Sequence, residues 1–279
     1  MRLQVLGDGV LGTMTTQSQT SHTPPDEPRL TVIIPCFNEE LRLGSHLREV
    51  KSYLDAHLPG SEILVIDDGS KDKTRQVAEE ILGPGSVISH PINRGKGAAV
   101  CTGVAAARGR FVLFTDADGS TPIQEVEKLL PHVESNCDVA IGSRATRKTG
   151  LFTFSSAGKS CEKKWLDAAQ FHWNTHPMRV GMGRVYAYSV QLILGLPFQD
   201  TQCGFKLFRR AEAQAIFPQV TMKGYSFDVE VLALARSRNL TVAEVPVSWH
   251  HIPGSRVSIF RDAPKMFADL LTLRSAKST

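Results

Sequence analysis

From Leu30 onward the chain alternates short apolar runs with stretches of helical periodicity. Leu30 to Cys36 and Glu62 to Asp67 read as buried strands, and between them Leu43, Leu47, Val50 and Leu54 share one helix face. The alternation continues through a helix marked by Thr74, Val77, Ala78 and Ile81, then strands at Ser86 to His90, Phe111 to Thr115 and Asp138 to Gly142. Helices over Gly97 to Ala107 and Pro122 to Glu134 lie between them. This order predicts an α/β fold, a Rossmann-like and mostly parallel sheet with helices on both faces. In such sheets ligands bind beyond the carboxyl ends of the strands, so the residues after each strand are the first place to look for chemistry.

The regular alternation stops near Arg144, and the basic stretch from there to Arg184 shows little periodicity. Beyond it the pattern predicts a helix over Val185 to Leu194, a strand over Gly204 to Arg209, a helix over Phe227 to Arg238 and a strand over Thr241 to His250. In a last helix, Asp262 to Arg274, residues Ala263, Met266, Phe267, Leu270 and Leu271 share a face. Residues 1–29, rich in Thr, Ser, Gln and Pro, read as a disordered extension. Gly7-Asp8-Gly9-Val10-Leu11-Gly12 matches a dinucleotide fingerprint only in letters, because no helix pattern follows it. The expected organisation is an extension at 1–29, one domain at 30–258 with halves 30–143 and 144–258, and an amphipathic helix and tail at 259–279.

Composition narrows the class. With 279 residues, 42% hydrophobic and 22% charged, the chain can bury a full core. Its longest charge-free apolar stretch, Val185 to Gln199, contains Ser189, Gln191 and Pro197 and falls short of the roughly 20 residues a bilayer span needs, so no spanning segment is expected. Five cysteines without a Cys-x-x-Cys pair, and no secretory apolar region, predict a reduced cytoplasmic setting. The formal charge of +4 is unevenly spread: eight basic against two acidic residues over Arg144 to Arg184, and five against two over His251 to Thr279. Local basic patches imply anionic partners. No nucleic-acid partner is expected, since a nucleic-acid binder has no evident need for the two acidic clusters at the strand ends.

The strand ends carry the candidate chemistry. Asp116-Ala117-Asp118, bending at Gly119, places two carboxylates where both reach one hard cation such as Mg²⁺ or Mn²⁺ carried by a diphosphate. Asp and Gly are also ordinary turn formers. A second acidic strand end, Asp67-Asp68-Gly69-Ser70, strengthens the functional reading, since two carboxylate clusters on one rim repel each other. Pro35-Cys36-Phe37-Asn38-Glu39 ends the first strand, and Asn93-Arg94-Gly95-Lys96-Gly97 opens a helix whose N-terminus favours phosphate. Glu39, the Asp67 and Asp68 pair, Lys96 and the two later aspartates together describe a nucleotide-diphosphate pocket with a divalent metal.

Taken in order, Ile33 to Glu39, Val65 to Ser70, Gly95-Lys96-Gly97, Asp116 to Gly119 and Ile141-Gly142-Ser143-Arg144 resemble the inverting family 2 glycosyltransferases of the GT-A fold. Asp200 to Phe208, Phe227 to Glu230 and Gly254-Ser255-Arg256 are similar to the dolichyl-phosphate β-glucosyltransferases among them. The resemblance implies a donor site of Pro35, Phe37, Glu39, Asp67, Asp68, Lys96, Asp116 and Ala117. It implies a metal, Mg²⁺ or Mn²⁺, on Asp116 and Asp118, with Asp118 and Arg144 catalytic. Related mannose synthases carry a metal-binding glutamine where this chain has Ser120, which implies that coordination here leans on water or on Gln202 as a third ligand. Ser143, Arg144, Arg179, Arg184 and Arg256 are the residues for the acceptor phosphate. The resemblance also implies an N-terminal membrane helix in the eukaryotic relatives, which no segment of this sequence is expected to form.

The implied reaction is transfer of glucose from UDP-glucose to a polyprenyl phosphate, with inversion, at the cytoplasmic face of a membrane to which the protein binds peripherally. The alternatives are a GDP-mannose-dependent polyprenyl-phosphate mannosyltransferase, or a transferase to a hydroxyl acceptor with Asp228 as base. The apolar face of the last helix reads either as packed on its own domain or as a membrane anchor. His172 and His176 lack an acidic third ligand for zinc, and Asn239-Leu240-Thr241 matches a glycosylation acceptor that a cytoplasmic chain does not use.

Overall fold

Leu30–Cys36 (β1) is buried at every position, as the apolar run requires of a strand with helices on both sides. It lies between Glu62–Asp67 (β2) and Phe111–Thr115 (β4), parallel to both, and Val87–Ser89 (β3) adds a parallel edge to β2. The computed structural model describes residues 27–144, 148–154, 161–168, 177–252 and 259–276, with side chains over 27–144, 150–154, 185–252 and 264–275. Among these residues the strands form one sheet in the order β3-β2-β1-β4-β8-β5-β9-β6-β7. The remaining members are Val139–Ser143 (β5), Lys148–Phe154 (β6), Cys161–Ala168 (β7), Phe205–Arg209 (β8) and Val242–Pro246 (β9). Only β6 and β8 run against the rest.

The two-residue period of β1 divides the core. Val32 and Ile34 face one layer, built with Leu43–His57 (α1), Thr74–Leu82 (α2) and Val126–Ser135 (α4). Ile33 faces the other, built with Lys96–Ala106 (α3), Pro177–Leu194 (α5), Arg210–Ile216 (α6), Phe227–Ser237 (α7) and Ile259–Ala276 (α8). The predicted α1 face, Leu43, Leu47, Val50 and Leu54, is buried throughout. At Gly103 a Cβ would come within 2.4 Å of Ile33 Cγ2, so a residue without a side chain is what lets α3 approach β1.

Three findings depart from the sequence pattern. The stretch after Arg144 holds the antiparallel pair β6 and β7, and α5 begins at Pro177 rather than at Val185. Phe152 and Phe154 are two residues apart, and their period-2 spacing puts both against Phe198, with ring centroids at 5.0 and 6.2 Å. The short helix α6 was not foreseen. Third, of the predicted face of α8, Met266, Phe267 and Leu270 turn into the core as the packed reading expects, with Phe267 edge-on to Tyr186 at 5.6 Å, but Leu271 lies outside at 59% exposure. The Ser226 hydroxyl donates to Asp269 at 2.6 Å and pins α8 beside the start of α7. No described helix is long and apolar enough to cross a membrane. Residues 1–26, His172, His176 and Arg256 lie outside the described residues.

Candidate active site

Because β3, β2, β1 and β4 are parallel, the loops that follow them share one sheet edge. After β1 the backbone turns at Asn38, with φ of 51° in the region Asn tolerates better than most residues. Asn38 N–H donates to Ser70 Oγ, and Asn38 Oδ1 accepts from Lys71 N–H, both at 2.8 Å, so the loops after β1 and β2 are tied together. Pro35 is buried at the end of β1 and Phe37 is half-buried beyond it. The Glu39 carboxylate accepts from Arg42 Nε and Nη2, each at 2.7 Å. Asp67 accepts from Ser70 N–H at 3.0 Å. Asp68 is buried and accepts from Arg94 N–H at 2.9 Å and Gly95 N–H at 2.7 Å, with His90 Nδ1 at 2.7 Å. That carboxylate shapes, from inside, the loop that opens α3.

The same loop aims Lys96 across the edge. Gly97 N–H donates to Lys223 O at 2.8 Å, and a Cβ on Gly97 would meet Met222 O at 2.6 Å, so the approach requires glycine. Lys96 Nζ then reaches Asp116 Oδ1 at 2.6 Å. Burial works against the lysine charge, but Asp116 and Asp228 outweigh it and raise its pKa.

Asp116 follows the fully buried β4 yet its side chain is 38% exposed. Its N–H donates to Gly204 O at 3.1 Å, and any Cβ on Gly204 would lie 2.1 Å from Asp116 Oδ2. A glycine is therefore required there for the carboxylate to be where it is. Ala117 is buried, Asp118 Oδ1 accepts from Ser120 N–H at 2.9 Å, and Gly119 has φ of 70° with His46 packed behind it. Asp116 and Asp118 fit a hard cation that brings oxygen ligands of its own, as a diphosphate-bound Mg²⁺ does. Among the described residues no group of three His, Cys, Asp or Glu side chains makes a closed cage. Close by in sequence to Gly204, Thr201 Oγ1 and Gln202 Nε2 are buried without hydrogen-bond partners, which leaves polar capacity for a bound group.

On the other side stands Arg144, just past β5. Asp200 accepts from its N–H at 2.9 Å, its Nε at 2.7 Å and its Nη2 at 2.9 Å, and the guanidinium lies 5.7 Å from the centre of the Trp249 ring. Burial opposes both charges of this pair, yet the attraction prevails: Arg144 is raised above its usual value and Asp200 is held below the usual carboxylate range. The arginine side chain remains 32% exposed. Ser143 is buried, and its hydroxyl donates to Glu244 at 2.9 Å. Burial pushes Glu244 up to about 7, against the hydrogen bonds it receives. The side chains of Arg179 and Arg184, on α5, lie outside the described ones, as does all of Arg256.

Asp228, the alternative base of the sequence reading, is 2% exposed and in contact with Lys206 Nζ, itself fully buried near the start of β8. Lys206 also donates to Cys203 O at 2.6 Å and lies 5.3 Å from the centre of the Phe114 ring. Burial raises the pKa of Asp228, and the neighbouring lysines counter that only in part. A carboxylate held this way does not face an incoming hydroxyl. Lys206 and Glu244 went unassigned in the sequence, although a lone charge inside an apolar strand is a readable signal that something compensates it.

The family model for glycosyl transferase family 2 matches residues 31–217. Dolichyl-phosphate β-glucosyltransferase of Saccharomyces cerevisiae is 34% identical over 276 residues, 91% of this chain and 77% of that protein. The Homo sapiens protein of the same name is 33% identical over 92% of this chain and 79% of its own length. In fold, the chain is similar to glucosyl-3-phosphoglycerate synthase of Mycobacterium tuberculosis, solved with Mn²⁺, UDP and phosphoglyceric acid, with a TM-score of 0.57 and 17% identity over 88% of this chain and 76% of that one.

The buried pair is testable by itself. Lys206→Met strands Asp228 and is expected to cost about 3–5 kcal/mol in chemical denaturation, whereas Lys206→Met combined with Asp228→Asn costs much less. Equal losses in the two variants would show that charge compensation is not what Lys206 contributes.

Proposed function

The chain belongs to glycosyl transferase family 2, and we propose on that premise that it transfers glucose from UDP-glucose to a dolichyl-type polyprenyl phosphate, with inversion at the anomeric carbon. The names of its relatives support glucosyl transfer and a dolichyl-phosphate acceptor. One contrast carries the reading: of two buried carboxylates near the aspartate turn, Asp228 is closed off by Lys206, while Asp200 holds Arg144 partly open. The site offers a fixed cation for an anionic acceptor and withholds the base that a hydroxyl acceptor needs.

A phosphate monoester has a second pKa of roughly 6, so near neutral pH its oxygen attacks without surrendering a proton. The remaining barrier is the approach of one anion to another, and fixed positive groups lower it. Arg144 screens the acceptor phosphate, backed by Ser143 and by Arg179, Arg184 and Arg256 of the basic segments. Pro35, Phe37, Glu39 and Asp67 frame the base and ribose, Asp68 shapes the loop of Lys96, and Lys96 exchanges part of its contact with Asp116 for the diphosphate. Asp116 and Asp118, with Gln202 alongside, would hold Mg²⁺ or Mn²⁺. Such a cation, when bound, neutralises charge on the leaving diphosphate. Ala117 leaves the turn slim enough for the donor to lie against it.

A lipid acceptor demands a lipid surface, and we place it on α5 and α8. Val185, Tyr188 and Leu192 are exposed along α5, a helix without a single acidic residue, and Leu271 is exposed on the neighbouring α8. The protein then sits peripherally at the cytoplasmic face of the membrane.

Three outcomes check these statements. Arg144→Ala is expected to cut transfer by about two orders of magnitude or more while slow hydrolysis of the donor by water persists; a parallel fall of both activities would move Arg144 out of the acceptor site. For the donor, EDTA or Asp118→Asn should abolish transfer with the melting curve of the metal-free protein unchanged, and UDP with Mg²⁺ should raise Tm more than GDP does at equal concentration. Full turnover in EDTA would end the metal assignment, and a larger shift with GDP would end the choice of uridine. For the membrane, Leu192→Glu should reduce flotation with anionic vesicles without lowering Tm; binding equal to that of the parent would clear α5 of the role.

A further inference from the structure

Glu244 takes no part in the donor or acceptor contacts set out above, yet it lies fully buried in β9, opposite Ile141 of β5 and Gly150 of β6. A carboxylate in that position is costly unless its oxygens are satisfied. Its partners are neutral donors: Ser143 Oγ–H at 2.9 Å, Gln199 N–H at 2.9 and 3.1 Å to its two oxygens, and Asp200 N–H at 2.8 Å. Those partners lead straight to the open side of the site. Ser143 immediately precedes Arg144, and Asp200 accepts three hydrogen bonds from Arg144 and one, at 3.1 Å, from Gln202 N–H.

Two carboxylates therefore act in series. Glu244 fixes the backbone that carries Asp200, and Asp200 fixes the guanidinium. We propose that Glu244 is a positioning residue for the acceptor phosphate, setting the place of Arg144 through Asp200 and Ser143 without itself touching a substrate. The inference rests on the reading of Arg144 as the acceptor-phosphate ligand.

The arrangement explains why an acid occupies the middle of an apolar strand. A guanidinium held only by its own flexible chain samples many positions, whereas one held by a carboxylate whose backbone is itself anchored keeps a single geometry. Misplacement by about 1 Å can reduce a reaction about a hundredfold even when its origin lies far from the reacting atoms. Glu244→Gln keeps the shape but exchanges one accepting oxygen for an NH₂ group. With the NH₂ group in the Oε2 position, the Gln199 N–H keeps Oε1 but has a donor set against it where its second acceptor was; with it in the Oε1 position, the Ser143, Gln199 and Asp200 donors all face a donor.

A double-mutant cycle with Arg144→Ala tests this, assayed with UDP-glucose and a short polyprenyl phosphate. Glu244→Gln is expected to raise the acceptor KM about tenfold or more. The Tm shift given by UDP and the rate of UDP-glucose hydrolysis should stay within about twofold of the parent, and the double variant should be no worse than Arg144→Ala alone. Should Glu244→Gln fail to fold, Glu244→Asp, which keeps the charge and withdraws it by one methylene, enters the same cycle with the same expectation. Penalties that multiply in the double variant, or a loss of UDP binding in parallel with transfer, would overturn the positioning role. A raised acceptor KM in Arg144→Ala with a normal one in both Glu244 variants overturns the Glu244 inference alone. A normal acceptor KM in Arg144→Ala overturns the reading of Arg144 itself.

Discussion

The ammonium group of Lys206 has no exposed surface, and the way its charge is compensated organises the rest of the site. An unpaired charge in this position costs several kcal/mol, so β8 is stable only where a carboxylate meets it. Asp228 at the start of α7 supplies that carboxylate, and the Cys203 carbonyl and the Phe114 ring complete the surroundings. The pair locks α7 to β8, and β8 lies antiparallel between β4 and β5. That insertion sets Gly204 against Asp116 and Asp200 against Arg144, so both halves of the site take their spacing from one strand.

Around this strand the protein holds alternating charges. Lys96 meets Asp116, Lys206 meets Asp228, and Arg144 meets Asp200. The central pair is buried, while Arg144 of one outer pair and both members of the other keep partial exposure. On the proposed function, substrates that carry phosphate charge would meet cations already oriented by protein carboxylates, the cost of orienting them having been met during folding. The same arrangement separates the buried acids by function: Asp200 is held ionised by its arginine, whereas burial raises Asp228 and Glu244.

Much of this was legible along the chain. The motifs after β1, β2 and β4 could be read because a parallel sheet delivers every strand end to one edge, so proximity follows from topology alone. Asp116 and Lys96 do meet there. Asp68 shows the limit of that argument: its letter marks an acidic strand end, but its oxygens are taken by the backbone of Arg94 and Gly95. The pair β6 and β7 escaped because a single alternation, Phe152 and Phe154, was set among basic residues. Antiparallel pairing and the partner ring of Phe198 come from elsewhere in the chain.

By itself the sequence determined the local elements up to Arg144, the α/β class and the candidate residues at the strand ends, because each depends on periodicity or on a few neighbouring letters. Membership of its family was also legible, carried by an ordered series of motifs. Tertiary structure alone decided the direction and place of β8, the inward turn of α8, and the partners of Lys206, Arg144 and Glu244. Those contacts join residues tens of positions apart, 56 in the case of Arg144 and Asp200 and 101 for Ser143 and Glu244. A buried charge announces in the sequence that it needs a partner; which residue answers is settled only when strands and helices pack and a desolvated group must be satisfied by whatever lies within hydrogen-bond reach.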